Sequence, residues 1–154
     1  MQAPLLGKPV LQHVLDAVHA SGLPYHLETA PHPGMGDSIA AAVAATPDAC
    51  GWLVLPSDLP LIQSSSLLAV ADALASHAVV VPIFEGQRGH PVGFAAVCRD
   101  ALLALGGTQG AAAVVRAHGA HELAVDDVGI VTDVDTVQDL ERAAQLLSQR
   151  NGLS

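Results

Sequence analysis

A chain of 154 residues has room for one domain, taken as residues 1–154, and its 51% hydrophobic content against 14% charged can fill a core, which excludes a disordered chain. Fifteen acidic residues against six basic leave a formal charge of −9, opposing the phosphate neutralisation that nucleic acids and anionic membranes require of a partner. Asp48, Asp72 and His77 interrupt the richest apolar stretches, so no spanning helix is expected. The N-terminus shows no basic and apolar leader, and the expected compartment is the cytoplasm.

Val10, Leu11, Val14, Leu15 and Val18 form a helical stripe with Pro9 in its first turn and Gly22 as its stop. Tyr25 to Thr29 reads as a short strand. Pro31, Pro33, Gly34 and Gly36 make a loop, after which Asp37 or Ser38 caps an alanine-rich helix ending near Thr46. Gly51 to Pro56 is a continuous apolar run of the kind buried on both faces of a parallel sheet. Ser64, Ser65 and Ser66 offer a cap for a helix over Leu67 to Ser76, and Val79 to Phe84 is rich in β-formers. Glu85 to Gly89 turns the chain into a strand from Pro91 to Ala95. Helices follow from Val97 to Leu105 and after the glycine loop at Gly106, Gly107 and Gly110. His121 to Asp126 and Gly129 to Val131 read as strands, Thr136 caps a closing helix carrying Leu140, Ala143, Ala144 and Leu147, and Gln149 to Ser154 reads as a frayed tail. The alternation of helix and strand predicts an α/β layered fold with a largely parallel sheet. Cys50 and Cys98 lack metal-ligand spacing and are expected to be buried free thiols.

Four clusters could carry chemistry. Gly34-Met35-Gly36-Asp37-Ser38 is a glycine loop opening a helix, a junction whose free N–H groups can hold a phosphate, though glycines there also serve turning alone. Asp58, in Leu55-Pro56-Ser57-Asp58-Leu59-Pro60, falls just past the end of a strand, where ligands bind in open α/β sheets. It is a candidate metal ligand, against the alternative of an Asx-turn before Pro60. Asp133 and Asp135 flank Val134 between a strand and a helix. They are read as facing opposite ways, so that one meets Asp58 at a shared cation and the other braces the turn. Asp126-Asp127 reads as a solvated turn. Arg88, Gly89, His90 and Pro91 form the fourth cluster, a basic glycine turn suited to an anionic substrate or to a plain hairpin. The other histidines considered, His13, His19, His26, His77, His118 and His121, show no ligand-like pairing. With no nucleophile elbow, H-E-x-x-H or Walker lysine, hydrolase triads and zinc proteases drop out, and two carboxylates with anion sites around them suit phosphoryl or nucleotidyl transfer.

Taken in order, Gly34 to Ile39, Leu55 to Leu61, Arg88 to Val92, Gly107 to Ala111 and Asp133 to Thr136 resemble the MobA-like nucleotidyltransferases, and within them the molybdenum cofactor cytidylyltransferases. The resemblance implies a three-layer Rossmann-like domain that transfers CMP or GMP from CTP or GTP to molybdopterin with release of pyrophosphate. It makes Asp58 the Mg²⁺-binding aspartate and Asp133 or Asp135 the second metal-side carboxylate, with Asp58 and Asp135 catalytic. Gly34, Met35, Gly36 and Ser38 become the nucleotide segment, and Arg88, Gly89, His90 and Pro91 the loop facing the acceptor. It also implies a molybdoenzyme or its chaperone as partner.

The chain departs from that pattern at its start. The family opens with a strand and a glycine-rich loop ending in arginine and lysine, whereas Met1 to Pro9 resembles the segment that comes after that loop, and Lys8 is not the missing lysine. Met1 is therefore expected to be an internal methionine of a protein longer by roughly 20–40 residues. A missing first strand would leave sheet edges open to homo-oligomer formation. Two alternatives stand beside the leading expectation. One is a catalytically impaired nucleotide-binding or regulatory module of the same fold, and the other a transferase activating a sugar phosphate or alcohol phosphate.

Overall fold

The computed structural model describes residues 4–28, 34–107 and 110–152. A two-residue ribbon, β1 (Pro4–Leu5) with β2 (Lys8–Pro9), turns through Leu6 and Gly7 at positive φ. Pro9 then stands at the cap of α1 (Val10–Ser21), not inside its first turn, and Gly22 closes the helix in the left-handed region, its N–H donating to the His19 carbonyl at 3.1 Å. Residues 25–28 form no strand: Tyr25 and Leu27 are exposed, and no described strand runs beside them. Thr29 and residues 31–33 lie outside the described residues.

α2 (Met35–Ala45) starts two residues before the expected cap, with Gly34 extended at the cap position. After β3 (Gly51–Val54), α3 (Ser64–Ala73) also begins early, so the serines lie inside its first turn. β4 (Val79–Phe84), β5 (Gln87–Arg88) and β6 (Val92–Ala95) follow, then a 3₁₀ turn (Ala96–Cys98) running into α4 (Arg99–Leu103), and α5 (Ala112–His118). β7 (His121–Ala124) leads to a 3₁₀ turn (Val128–Val131) and α6 (Val137–Gly152). The expected strand at Gly129 to Val131 is thus a helical turn, because the Asp127 carboxylate captures the Gly129 N–H at 2.8 Å and curls the chain. The tail expected from Gln149 continues α6 to Gly152, and the Arg150 guanidinium donates to the Leu61 carbonyl at 3.0 Å.

The sheet runs β3-β6-β4-β5, with β7 on the other side of β4. It is less parallel than expected: three of the four pairings are antiparallel, and only β4 with β7 is parallel. The reason is the tight turn at residues 85–91. A parallel return needs a crossover of a dozen or more residues, so a chain that turns this quickly comes back reversed, and β6 slots between β3 and β4. β3, β4 and β7 still point the same way, as their helical crossovers require. β3 is accordingly half-buried, paired on one side to β6 among the described residues.

Side-chain alternation along the strands divides the core. Val79 and Val81 of β4, with Phe94 of β6, face Ile39 and Val43 of α2, Leu102 of α4 and Val114 of α5. On the opposite face α3 lies so close that a Cβ at Gly93 would sit 2.7 Å from a Val70 methyl, which is why β6 carries glycine there. α1 packs behind α3. The result is a sheet flanked by helices on both faces. A third cluster joins Leu140, Ala143, Ala144 and Leu147 of α6 to Leu5, Val10, Leu61 and Val134, as the spacing along that helix predicts. Cys98 is buried, but Cys50 is exposed because it precedes the edge strand β3 instead of lying within it. Among the described residues no helix is long and apolar enough to cross a membrane.

Candidate functional site

The segment after β7 builds the site by fastening backbone to backbone. Asp127, expected in a solvated turn, is 2% exposed, and its carboxylate accepts from the Gln63 amide at 3.0 Å, the Ser66 hydroxyl at 2.7 Å and the Gly129 amide. It thereby caps α3 across separations of 64 and 61 residues, doing what the serines were expected to do. Gly129 then lies directly on the Leu61 carbonyl, and Gly89 on the Ile130 carbonyl, with no room at either position for a Cβ. The His90 amide donates to the Ile130 carbonyl at 3.0 Å and the Val134 amide to the Asp58 carbonyl at 2.9 Å. The loop after β3, the turn before β6 and the segment before α6 are stacked as one block.

That block brings Asp58, Asp133 and Asp135 together, with one carboxylate oxygen from each within 4.8 Å of the others. The expectation that Asp133 and Asp135 face opposite ways is overturned by strand geometry itself: residues i and i+2 share a face, and it is Val134 between them that points inward, 3% exposed. Asp58 is half-buried and the other two are exposed. The Asp135 carboxyl is pushed above its ordinary value, first by the hydrogen bond its protonated form makes to the Asp133 carboxylate, then by desolvation and the charges of Asp58, Asp133 and Asp139. Three carboxylate oxygens this close together are the donor set of a hard divalent cation such as Mg²⁺, Mn²⁺ or Ca²⁺. The corner is braced from α6, whose Asp139 accepts from the Asp135 and Thr136 amides at 3.1 and 3.2 Å while the Thr136 hydroxyl accepts from the Asp139 amide at 3.0 Å. Those bonds, the Asp135 amide first, hold the Asp139 carboxyl below its ordinary value.

His90 stands beside this corner. Its ring is half-buried, its Nδ1 has no hydrogen-bond partner among the described residues, and burial holds the imidazole below its ordinary pKa against the pull of the Asp58 charge. The peptide to Pro91 is cis. Arg88 goes elsewhere, pairing with Glu122 across β4 at 2.8 Å.

Residues 8–123 match the family of MobA-like NTP transferase domains. The chain belongs to that family. Curated relatives named bifunctional protein GlmU are 32% identical in Xanthomonas euvesicatoria pv. vesicatoria strain 85-10, over 64% of this chain and 26% of that protein, and 40% identical in Xanthomonas oryzae pv. oryzae strain MAFF 311018, over 44% and 14%. The MobA-like chain thus spans about a quarter, or less, of the length of the curated relatives it matches. Among solved structures, Rv0371c of Mycobacterium tuberculosis H37Rv in complex with manganese is similar at TM-score 0.78 and 23% identity, over 94% of this chain and 90% of that one. Molybdopterin-guanine dinucleotide biosynthesis protein A of Archaeoglobus fulgidus follows at TM-score 0.67 and 16% identity, over 96% and 90%. At these identities the likeness is one of fold.

In this MobA-like domain the glycine segment is a second, separate construction. Gly36 is buried against Gly106, where a Cβ would meet the carbonyl oxygen at 2.9 Å, and its amide donates to the Gly107 carbonyl at 2.9 Å. The Asp37 carboxylate returns the contact by accepting from the Gly107 amide at 3.2 Å. Ser38 turns its hydroxyl to the Gly34 carbonyl, and Met35 is exposed against Gly110. The two glycine segments were legible as separate motifs, and the fold joins residues 34–38 to Gly106, Gly107 and Gly110. Sequence reasoning missed Asp127, and the signal available was a carboxylate two residues before a glycine on a turn, the Asx pattern.

Proposed function

We propose that the chain is a divalent-cation-dependent nucleotidyltransferase domain that transfers CMP or GMP from CTP or GTP to molybdopterin. The observation that carries this reading is the meeting of Asp58, Asp133 and Asp135 at the C-terminal end of β3, in a chain whose family is that of NTP transferases. Asp58, Asp133 and Asp135 would hold the cation, of which Mg²⁺ is the expected one and whose charge would offset that developing on the transferring phosphate. Gly34, Met35, Gly36 and Ser38 would face the nucleotide, and Gly89, His90 and Pro91 the acceptor. A neutral His90 can accept or donate one hydrogen bond without adding charge. An acceptor phosphate oxygen attacks the α-phosphorus in line and pyrophosphate leaves, so positioning by this rigid block is what the residues contribute.

Isothermal titration with CTP, GTP and ATP, each with and without Mg²⁺, tests the reading. Mg²⁺-dependent binding of one nucleotide, lost in Asp58→Ala and in the Asp133→Ala, Asp135→Ala double variant, supports it and names the base. Equal binding with and without Mg²⁺, or none, overturns it in favour of a module that keeps the fold without the chemistry. Pyrophosphate release with molybdopterin, compared with a sugar phosphate, then fixes the acceptor class.

A further inference from the structure

A cavity of about 220 Å³ opens beside the acidic corner, lined by Gln87, Val128, Thr132, Asp133, Asp139 and Arg142 among others. It is smaller than the roughly 300–1,000 Å³ of pockets that enclose a drug-sized ligand, so it suits a single chemical group. One wall is Asp133 of the acidic corner. The lining also includes Arg142 and Gln87, whose guanidinium and side-chain amide can both donate.

The guanidinium is conspicuous in a chain of charge −9 with six basic residues. Lys8 and Arg88 are committed to Asp16 and Glu122, Arg150 donates to the Leu61 carbonyl, and Arg99 lies 5.7 Å from the centre of the Trp52 ring. Arg142 lines the cavity and, like Arg116 on α5, makes no hydrogen bond or ion pair to any described residue. Asp139, one turn back on α6, feels its charge, but both of that carboxylate's strongest contacts are to the Asp135 and Thr136 amides. Gln87 reaches the cavity for a geometric reason. It alternates with Arg88 on β5, and Arg88 is drawn to Glu122, so its neighbour faces the other way.

We infer that this cavity seats an anionic oxygen-rich group of the acceptor, a phosphate, with Arg142 as its counter-charge and Gln87 as its second donor. The inference rests on the proposed cation site. Asp133 and Asp139 would repel a phosphate dianion on their own, and the repulsion from Asp133 is relieved only when the acidic corner carries a cation. Phosphate binding in the cavity is therefore linked to divalent metal, and each favours the other.

Inorganic phosphate and Mn²⁺ are the probes. Electron paramagnetic resonance counts Mn²⁺ bound to the wild type, to Arg142→Gln and to a control, Arg116→Gln, which sits on α5. Phosphorus relaxation then reports whether phosphate lies next to the protein-bound Mn²⁺. The expected result is Mn²⁺ bound equally by all three proteins, with relaxation enhancement in wild type and Arg116→Gln, and about ten- to hundredfold weaker phosphate binding in Arg142→Gln. Enhancement of equal strength in Arg142→Gln overturns the cavity assignment while leaving the cation site standing. Failure of the wild type to bind Mn²⁺ overturns the cation site, and the phosphate inference with it.

Discussion

The acidic corner and the glycine segment at the start of α2 are both loop-to-helix junctions, yet they commit their polar groups in opposite ways. At the corner, backbone amides and carbonyls satisfy one another, Val134 to Asp58 and His90 to Ile130, and the carboxylates of Asp58, Asp133 and Asp135 make no bond to backbone among the described residues. At α2 the commitments run through the groups a ligand would want: the Gly36 amide goes to Gly107 and the Asp37 carboxylate to the amide of the same residue. A junction that satisfies its backbone internally leaves its side chains available for chemistry. The proposed cation site accordingly belongs to the first junction, while the second, clasped to Gly107, would meet the nucleotide with what those bonds leave free.

The contrast breaks most sharply at the carboxylates. Asp58→Ala, or Asp133→Ala with Asp135→Ala, is expected to abolish Mg²⁺-dependent nucleotide binding by calorimetry while leaving circular dichroism unchanged, since these groups hold charge and not the core. Asp127→Ala is expected to act the other way. It strands a buried hydroxyl and two amides and should cost about 3 kcal/mol in urea unfolding, with Asp127→Asn recovering part of the loss. At the clasp, Asp37→Ala removes one exposed bond to Gly107 and should cost about 1 kcal/mol. A smaller effect is expected from pH. The His90 pKa is depressed in the fold, so its contribution to stability is full above the unfolded value near 6.5 and is lost as pH falls through the folded value. His90→Gln should flatten that part of the melting-temperature profile between about pH 7 and 5. The smallest expected change is Glu122→Gln, below about 1 kcal/mol, because the Arg88 pair is exposed on both sides.

How much of the fold and the site was legible depends on range. Val79 to Phe84 announced itself as a strand because six residues of one local character need no partner to be recognised, and Thr136 announced α6 because its capping contacts lie within three residues. The reversed β6 could not be read from its own composition. Its direction is set by how soon the chain returns, and its place between β3 and β4 by Gly93 admitting α3. Asp58, Asp133 and Asp135 were each legible by position at the ends of elements, but their meeting depends on the Val134 amide finding a carbonyl 76 residues earlier. Asp127 was hidden by the same kind of distance, for its partners at Gln63 and Ser66 stand at the start of another helix. Tyr25 to Glu28 failed as a strand because a short apolar alternation becomes a strand only beside another.

The stacking of Gly129 on Leu61 and of Gly89 on Ile130 has a consequence for how such a site can vary. With main chain pressed on main chain, no rotamer lies between the layers to act as a shim. The spacing of the three carboxylates is then inherited from covalent geometry, while the tuning of the hydrophobic core is carried by side chains elsewhere. Core positions such as Val70 or Leu102 can drift and change how firmly the domain stands without resetting the gauge of the corner.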